Sequence, residues 1–189
     1  MRSIYLSITT FAAILSFACS PTLQVHELNE EGKLPTSTHL SSSEVIMDKS
    51  LKIDSSYHFL FLKNSGVTNR YTQYVAGTLK NISGYMEVKT KDEMEQYVVR
   101  NNLAEKVANI SDNIGLFRLQ KEIGNFLICE ANAEQIGRYG FKFYFKIIDP
   151  ANSDVLLEID HYGVNWAGLD RPLFNPVFNY YIDWLKKNK

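Results

Sequence analysis

Phe141-Lys142-Phe143-Tyr144-Phe145-Lys146-Ile147-Ile148, then Asp149-Pro150-Ala151-Asn152-Ser153-Asp154, then Val155-Leu156-Leu157-Glu158-Ile159-Asp160-His161-Tyr162 reads as two strands joined by a turn. Phe141, Phe143, Phe145 and Ile147 alternate with Lys142, Tyr144 and Lys146. That period of two sends successive side chains to opposite faces of a sheet. Asp, Pro, Asn and Ser between the arms supply turn chemistry. An antiparallel hairpin therefore anchors the C-terminal half.

The neighbouring segments extend it. Phe126-Leu127-Ile128-Cys129-Glu130 is an apolar strand, reached from a helix that opens at Ser111-Asp112, carries Leu116, Leu119 and Ile123, and stops at Gly124. Thr90-Lys91-Asp92-Glu93 has the spacing of a capping box, with a helix through Met94, Tyr97 and Val98 behind it. Tyr85-Met86-Glu87-Val88-Lys89 alternates as a strand. Tyr71, Val75, Thr78, Leu79 and Ile82 recur at helical spacing, and His58-Phe59-Leu60-Phe61-Leu62 reads as a buried strand. Beyond the hairpin, Pro176 stands in the first turn of a helix carrying Val177, Phe178, Tyr181, Ile182 and Leu185. Crossover helices between the early strands demand parallel pairing, whereas the hairpin is antiparallel. The expected fold class is α/β, a single mixed β-sheet flanked by helices, over residues 56–189.

At the other end, Arg2 precedes an uncharged, mostly apolar stretch, Ile4 to Ala18, and Cys19 follows. A positive start, an apolar run and small residues before a cut are the parts of a secretory signal. Ala18-Cys19-Ser20 resembles the lipobox of a bacterial lipoprotein, although Leu15 lies four residues before the Cys and Ser16 takes the favoured place. Residues 1–18 are thus expected as signal peptide and Cys19 as the site of lipid (palmitate) attachment. Residues 19–55 are expected as a lipidated tether, some of which docks on the domain. Thr22 to Leu28 has the alternation of a short strand. Two alternatives stay open: a Cys19–Cys129 disulfide after ordinary cleavage, and an uncleaved membrane anchor.

Removing 18 of 189 residues leaves 171, enough for one domain with a core. With Arg2 gone, 19 basic side chains face 21 acidic ones, net −2 with His neutral. That balance argues against nucleic acid as a partner. The 45% apolar and 13% aromatic content belongs to a globular chain.

The order of elements behind this leader resembles the small envelope lipoproteins built on the domain shared by the N-terminal part of TolB, CsgG, PelC and LpoB. His58–Leu62 with the helix after it is similar to their first strand and helix, and Gly124–Glu130 to their entry into the third strand. Phe141–Ile159 is similar to their hairpin, whose turn often reads D-x-x-x-G-x-x-L; here Ser153-Asp154 stands at the glycine. Val25–Leu34 and Asn179–Leu185 also resemble segments of gammaproteobacterial lipoproteins of this size. The resemblance implies three acyl chains on Cys19 and, with Ser20 in place of an Asp, an outer-membrane location facing the periplasm.

Candidate chemistry is sparse. His26, His39, His58 and His161 show no i, i+3 or i+4 partner and there is no Cys pair, so neither a metal site nor a cofactor is expected. Asp160 and His161 are adjacent on a strand, point apart, and are expected as solvated or rim residues. Cys129 has no basic neighbour to activate it, and no Gly-x-Ser-x-Gly or phosphate-cradling loop occurs. The loop 162–174 carries Trp166, Arg171 and Phe174, residue types that anchor interfaces, against the plain alternative that the two aromatics cover the end of the sheet. The expectation is a lipid-anchored, non-enzymatic envelope lipoprotein acting through a protein partner or a homo-oligomer. The alternative is a periplasmic glycan or small-ligand binder.

Overall fold

The computed structural model describes residues 23–64, 69–84, 86–107, 109–164 and 168–189. Cys19 and Trp166 lie outside the described residues, as does Tyr85. The strands are β1 (Val45–Asp48), β2 (Phe59–Asn64), β3 (Glu87–Thr90), β4 (Phe126–Ile136), β5 (Gly140–Asp149) and β6 (Asp154–Val164). The helices are α1 (Asn69–Ile82), α2 (Lys91–Arg100), α3 (Asn113–Ile123) and α4 (Asn175–Asn188), with a π-helical turn, Asp170–Phe174, leading into α4. The six strands form one sheet in the order β1-β6-β5-β4-β2-β3. β2 is parallel to β3 and β4, and β4-β5-β6-β1 run antiparallel, so the sheet is mixed as the element order requires.

Local chemistry accounts for the helix ends. Thr90 Oγ1 accepts from the Glu93 N–H and the Glu93 carboxylate accepts from the Thr90 N–H at 2.7 Å, completing the capping box. Asp112 caps α3 by accepting from the Gly115 N–H at 2.7 Å. Gly115 is needed for another reason. A Cβ there would sit 1.5 Å from the Asn109 carbonyl oxygen, so only glycine lets the preceding loop pass beneath α3. In the β5–β6 turn Ser153 takes φ 60°, the left-handed region, where the lipoprotein pattern has glycine. Asn152 Oδ1 holds that turn by accepting from the Asp154 N–H at 3.0 Å.

The strand period sorts the core into two clusters. On one face Leu60, Leu62, Leu127, Cys129, Phe143, Phe145, Leu157 and Ile159 pack under α1 and α4. On the other, Phe61, Phe126 and Ile128 pack under Met94 and Val98 of α2 and Leu116 and Leu119 of α3. The first face is covered across its width. The second cluster takes nothing from β6 and from β5 only Ile148, so the helices on that side stop short of the long hairpin.

Differences from expectation are local. β4 runs on to Ile136 and forms a second hairpin with β5, because the alternation continues past Glu130 through Ala131 and Ala133. Leu23 to Leu28 forms no strand. Residues 23–55 lie against the domain: Leu34 and Ile53 are buried, and Val45–Asp48 supplies the edge strand beside β6. Among the described residues no helix is long and apolar enough to cross a membrane.

Candidate functional site

Amide side chains of α4 bind the lead-in. Asn179 mimics a strand for Leu34, its Oδ1 accepting from the Leu34 N–H at 2.7 Å and its Nδ2 donating to the Leu34 carbonyl at 2.9 Å. Asn175, fully buried, donates to the Pro35 carbonyl at 2.7 Å and accepts from the Tyr74 hydroxyl at 2.9 Å. Asn188 Oδ1 accepts from the Leu51 N–H, and Trp184 Nε1 donates to the Lys49 carbonyl. These polar residues recur about every four positions, one stripe of a helix. That spacing was a usable signal and was missed. Asn179→Ala is expected to cost about 1–3 kcal/mol, because it strands two backbone groups. It should speed limited proteolysis within 29–40 relative to cleavage elsewhere; equal rates would show that the pair contributes nothing.

Between this lead-in and α4 runs a groove of about 600 Å³ lined by Lys33, Thr36, His39, Arg171, Tyr180 and Asp183 among others. Arg171, singled out from the sequence, is exposed at this groove. Lys33 and Asp183 pair across it at 2.5 Å. The Tyr180 hydroxyl is pushed up to about 12, by burial first and then by the hydrogen bond it donates to Asp48.

Phe174, the other described residue of the candidate interaction loop, is fully buried, in keeping with the alternative that the loop's aromatics cover the end of the sheet. Its ring lies 4.7 Å from Phe143 and 5.1 Å from Tyr74, so it belongs to the core and presents nothing to a partner. His161 is a correction. Instead of a rim residue it is 4% exposed, because β1 and the π-helical turn close over that end of β6. Nδ1 lies 2.6 Å from Glu44 Oε1 and Nε2 lies 2.8 Å from the Pro172 carbonyl. Both ring nitrogens thus lie within hydrogen-bond distance of an oxygen atom. His26 is likewise held, 2.5 Å from Asp170. Two of the four histidines are thus occupied in joining the lead-in to the end of the sheet. Cys129 is buried, and burial drives its thiol well above the ordinary range.

The uncovered second face of β4, β5 and β6 carries a different pattern. Strand register aligns Lys63, Glu130, Lys146 and Glu158 in one row across β2, β4, β5 and β6. Their charges alternate, with Lys63 3.2 Å from Glu130 and Lys146 3.0 Å from Glu158. The next row is Asn132, Tyr144 and Asp160, and the third is Glu134, Lys142 and Tyr162. Lys142 sits 2.6 Å from Asp160, which with Tyr144 holds its ammonium above the usual lysine range. Tyr144 is 36% exposed and Tyr162 52%. Exposed pairs of this kind add only about 0.2–1 kcal/mol each. The lattice therefore contributes little to stability. Sequence alternation showed a polar side here, but not that no helix covers it.

These features define an α/β protein whose described residues form one six-stranded mixed sheet, covered by helices on one face and half open on the other. No protein-family model matches the chain, and no curated protein matches it. Among solved structures it is similar to the LpoB C-terminal domain from Salmonella enterica, at 8% identity over 59% of this chain and 86% of that one, TM-score 0.35. It is similar to lipoprotein GNA1162 from Neisseria meningitidis, at 11% identity over 57% and 81%, TM-score 0.32. The third is a dodecamer of PelC from Paraburkholderia phytofirmans, at 12% identity over 65% and 82%, TM-score 0.36.

Proposed function

We propose that the chain is a bacterial envelope lipoprotein, cut after residue 18 and lipidated on Cys19, which faces the periplasm from the outer membrane. Residues before Leu34 would then lead from the bilayer to the domain. It works without catalysis, by docking a protein on the open face of β4, β5 and β6. The observation that carries this reading is the ordered charge and tyrosine lattice on a sheet face that the helices leave bare. Tyrosine is enriched at protein interfaces, and alternating charge confers orientation more than affinity. A lipid-anchored placement is supported by the lipobox-like Ala18-Cys19-Ser20.

The second reading, a periplasmic glycan or small-ligand binder, is favoured by the groove of about 600 Å³ with Arg171 and Tyr180 in its wall. A photo-crosslinking residue at Tyr144 separates the two when compared with one at Ile114, which is exposed on α3. Discrete protein adducts from Tyr144 alone, lost together with palmitate label in Cys19→Ala, are expected. Absence of adducts at Tyr144 combined with a thermal shift by muropeptides would favour the groove. A palmitate-free wild-type chain would remove the envelope anchor.

A further inference from the structure

We infer that the tip of the β4–β5 hairpin, Ile136 to Gly140, rests in the headgroup layer of the bilayer that holds the anchor, so that the domain stands end-on to the membrane. This takes the lipid on Cys19 from the reading above and adds which end of the domain meets the bilayer. The first argument is chain length. Leu23 is already packed against the helix-covered core. The stretch from Cys19 to Leu23 reaches at most about 14 Å, however it runs. By comparison α4 alone, at 14 residues, is about 21 Å long. So short a lead cannot carry the domain away from the bilayer, and it brings one end of the domain close.

Contacts of the lead-in decide which end. Lys33 pairs with Asp183 in the second half of α4, whereas His26 lies 2.5 Å from Asp170, ahead of that helix. Val25 lies beside Gly77, where a Cβ would come within 3.0 Å of its side chain. The His26 carbonyl accepts from Asn81, about one turn further along α1. Followed back toward Leu23, the chain therefore climbs toward the first turns of α1 and α4. β6 finishes at the same end. A Cβ on Gly163 would sit 3.0 Å from the Pro172 carbonyl oxygen, and Gly163 and Val164 pair with Phe141 and Gly140 at the start of β5. β2 leaves β4 at Ala131, five residues before Ile136, so the β4–β5 ribbon runs on about 17 Å past that last pair. Anchor and projecting tip share one end.

The tip has the chemistry of an interfacial contact. Ile136 is 42% exposed and Tyr139 46%. The Arg138 guanidinium lies 5.1 Å from the Tyr139 ring centre, so a cation suited to phosphate and an amphipathic ring stand together. Gly137 takes φ 73°, and a Cβ there would meet nothing within 4 Å among the described residues, so the turn is open on that side. Tyr162 leans over Gly140, where a Cβ would sit 2.5 Å from its hydroxyl, and widens the patch beside Ile136. Gln135 Nε2 donates to the Gly137 and Arg138 carbonyls at 3.1 and 3.3 Å, which sets the shape of the turn before lipid is met. Glu134, the nearest acid along β4, has Lys142 as its register partner. So small a patch binds lipid weakly by itself, but the anchor makes the contact intramolecular and raises its effective concentration. With the strands running away from the membrane, the open face of β4, β5 and β6 stays clear of lipid for a partner.

The test uses the mature lipidated chain in vesicles of phosphatidylethanolamine and phosphatidylglycerol. A polarity-sensitive dye is placed on Tyr139→Cys or, at the far end of β5, on Ala151→Cys. Cys129 is buried, and the dye-treated parent chain gives the background. The dye at 139 is expected to shift to the blue and to be quenched by lipids with nitroxide headgroups, and the dye at 151 to do neither. Ile136→Asp should remove about half or more of the quenching at 139 while the chain stays on the vesicles through its lipid. Arg138→Cys takes the place of Tyr139→Cys if circular dichroism shows the latter misfolded. Equal responses at both ends, or a dye at 139 that stays in water, would overturn the inference and leave the anchor standing. A mature wild-type chain without acyl groups would bring down the inference together with the anchoring reading.

Discussion

Phe178→Ala is expected to lose about 3–5 kcal/mol of stability, the cost of deleting a fully buried aromatic. Phe178 is the hub of the helix-covered face. Its ring lies 5.8 Å from Phe143, 6.0 Å from Phe145 at 90°, 6.4 Å from Phe174 and 6.4 Å from Tyr74. Four rings on α1, β5 and the π-helical turn lose a common neighbour at once. Because Phe174 and Phe143 come from separate elements and pack against the same ring, one stacked and one edge-on, the hole has no easy way to collapse. For a domain of this size that is much of the total. Urea denaturation should show the midpoint falling sharply at unchanged slope. A loss below 1 kcal/mol would mean that α4 is held by its amide contacts with the lead-in and not by this cluster.

The second large effect concerns Glu44 and His161. Removing the carboxylate by Glu44→Ala leaves His161 buried with one acceptor gone, and breaking a buried pair costs about 3–5 kcal/mol in the worst case. Glu44 is partly exposed, with 23% of its side chain open to solvent, so about 2 kcal/mol is expected. The acid side of the pH profile follows from the same contact. Burial pushes the Glu44 carboxyl up, but the Ser41 N–H, His161 and the Ser41 hydroxyl together outweigh it and hold it below the usual 4.5. Between the folded and unfolded values the unfolded chain binds more protons, so stability rises with pH there. The contribution is complete above about pH 4.5 and is lost as pH falls through the lower folded value. Melting curves of wild type and Glu44→Gln should therefore be separated at pH 7 and converge in acid. A gap that stays constant from pH 7 to pH 3 would show that Glu44 acts by packing and not by charge.

How much of this was legible beforehand varies by element, for physical reasons. The hairpin, the capping box at Thr90 and the stop at Gly124 depend on neighbours within a few residues, so their spacing announces them. Glu44 was invisible, because its partner lies 117 residues away and nothing local marks a polar residue in a serine-rich lead-in as structural. His161 was misjudged for the same cause. Alternation places it opposite Asp160, but only β1 and the π-helical turn closing over that end of the strand make it buried. Phe174 belonged to the core and Arg171 to the surface, though a loop rich in aromatics and Arg reads alike in both cases. The open face was half legible: Lys142, Tyr144 and Lys146 mark a polar side, but the helices α2 and α3 decide how far cover extends.

Residue order along this chain was enough to set the class of fold and the mixed strand directions, since period, caps and connection lengths act over short range. Which charges stand in rows, which histidines are held and which loop residues reach solvent came only from assembly of the sheet. Those properties depend on register between strands far apart in the chain, and one residue of slip would turn every one of them to the opposite face.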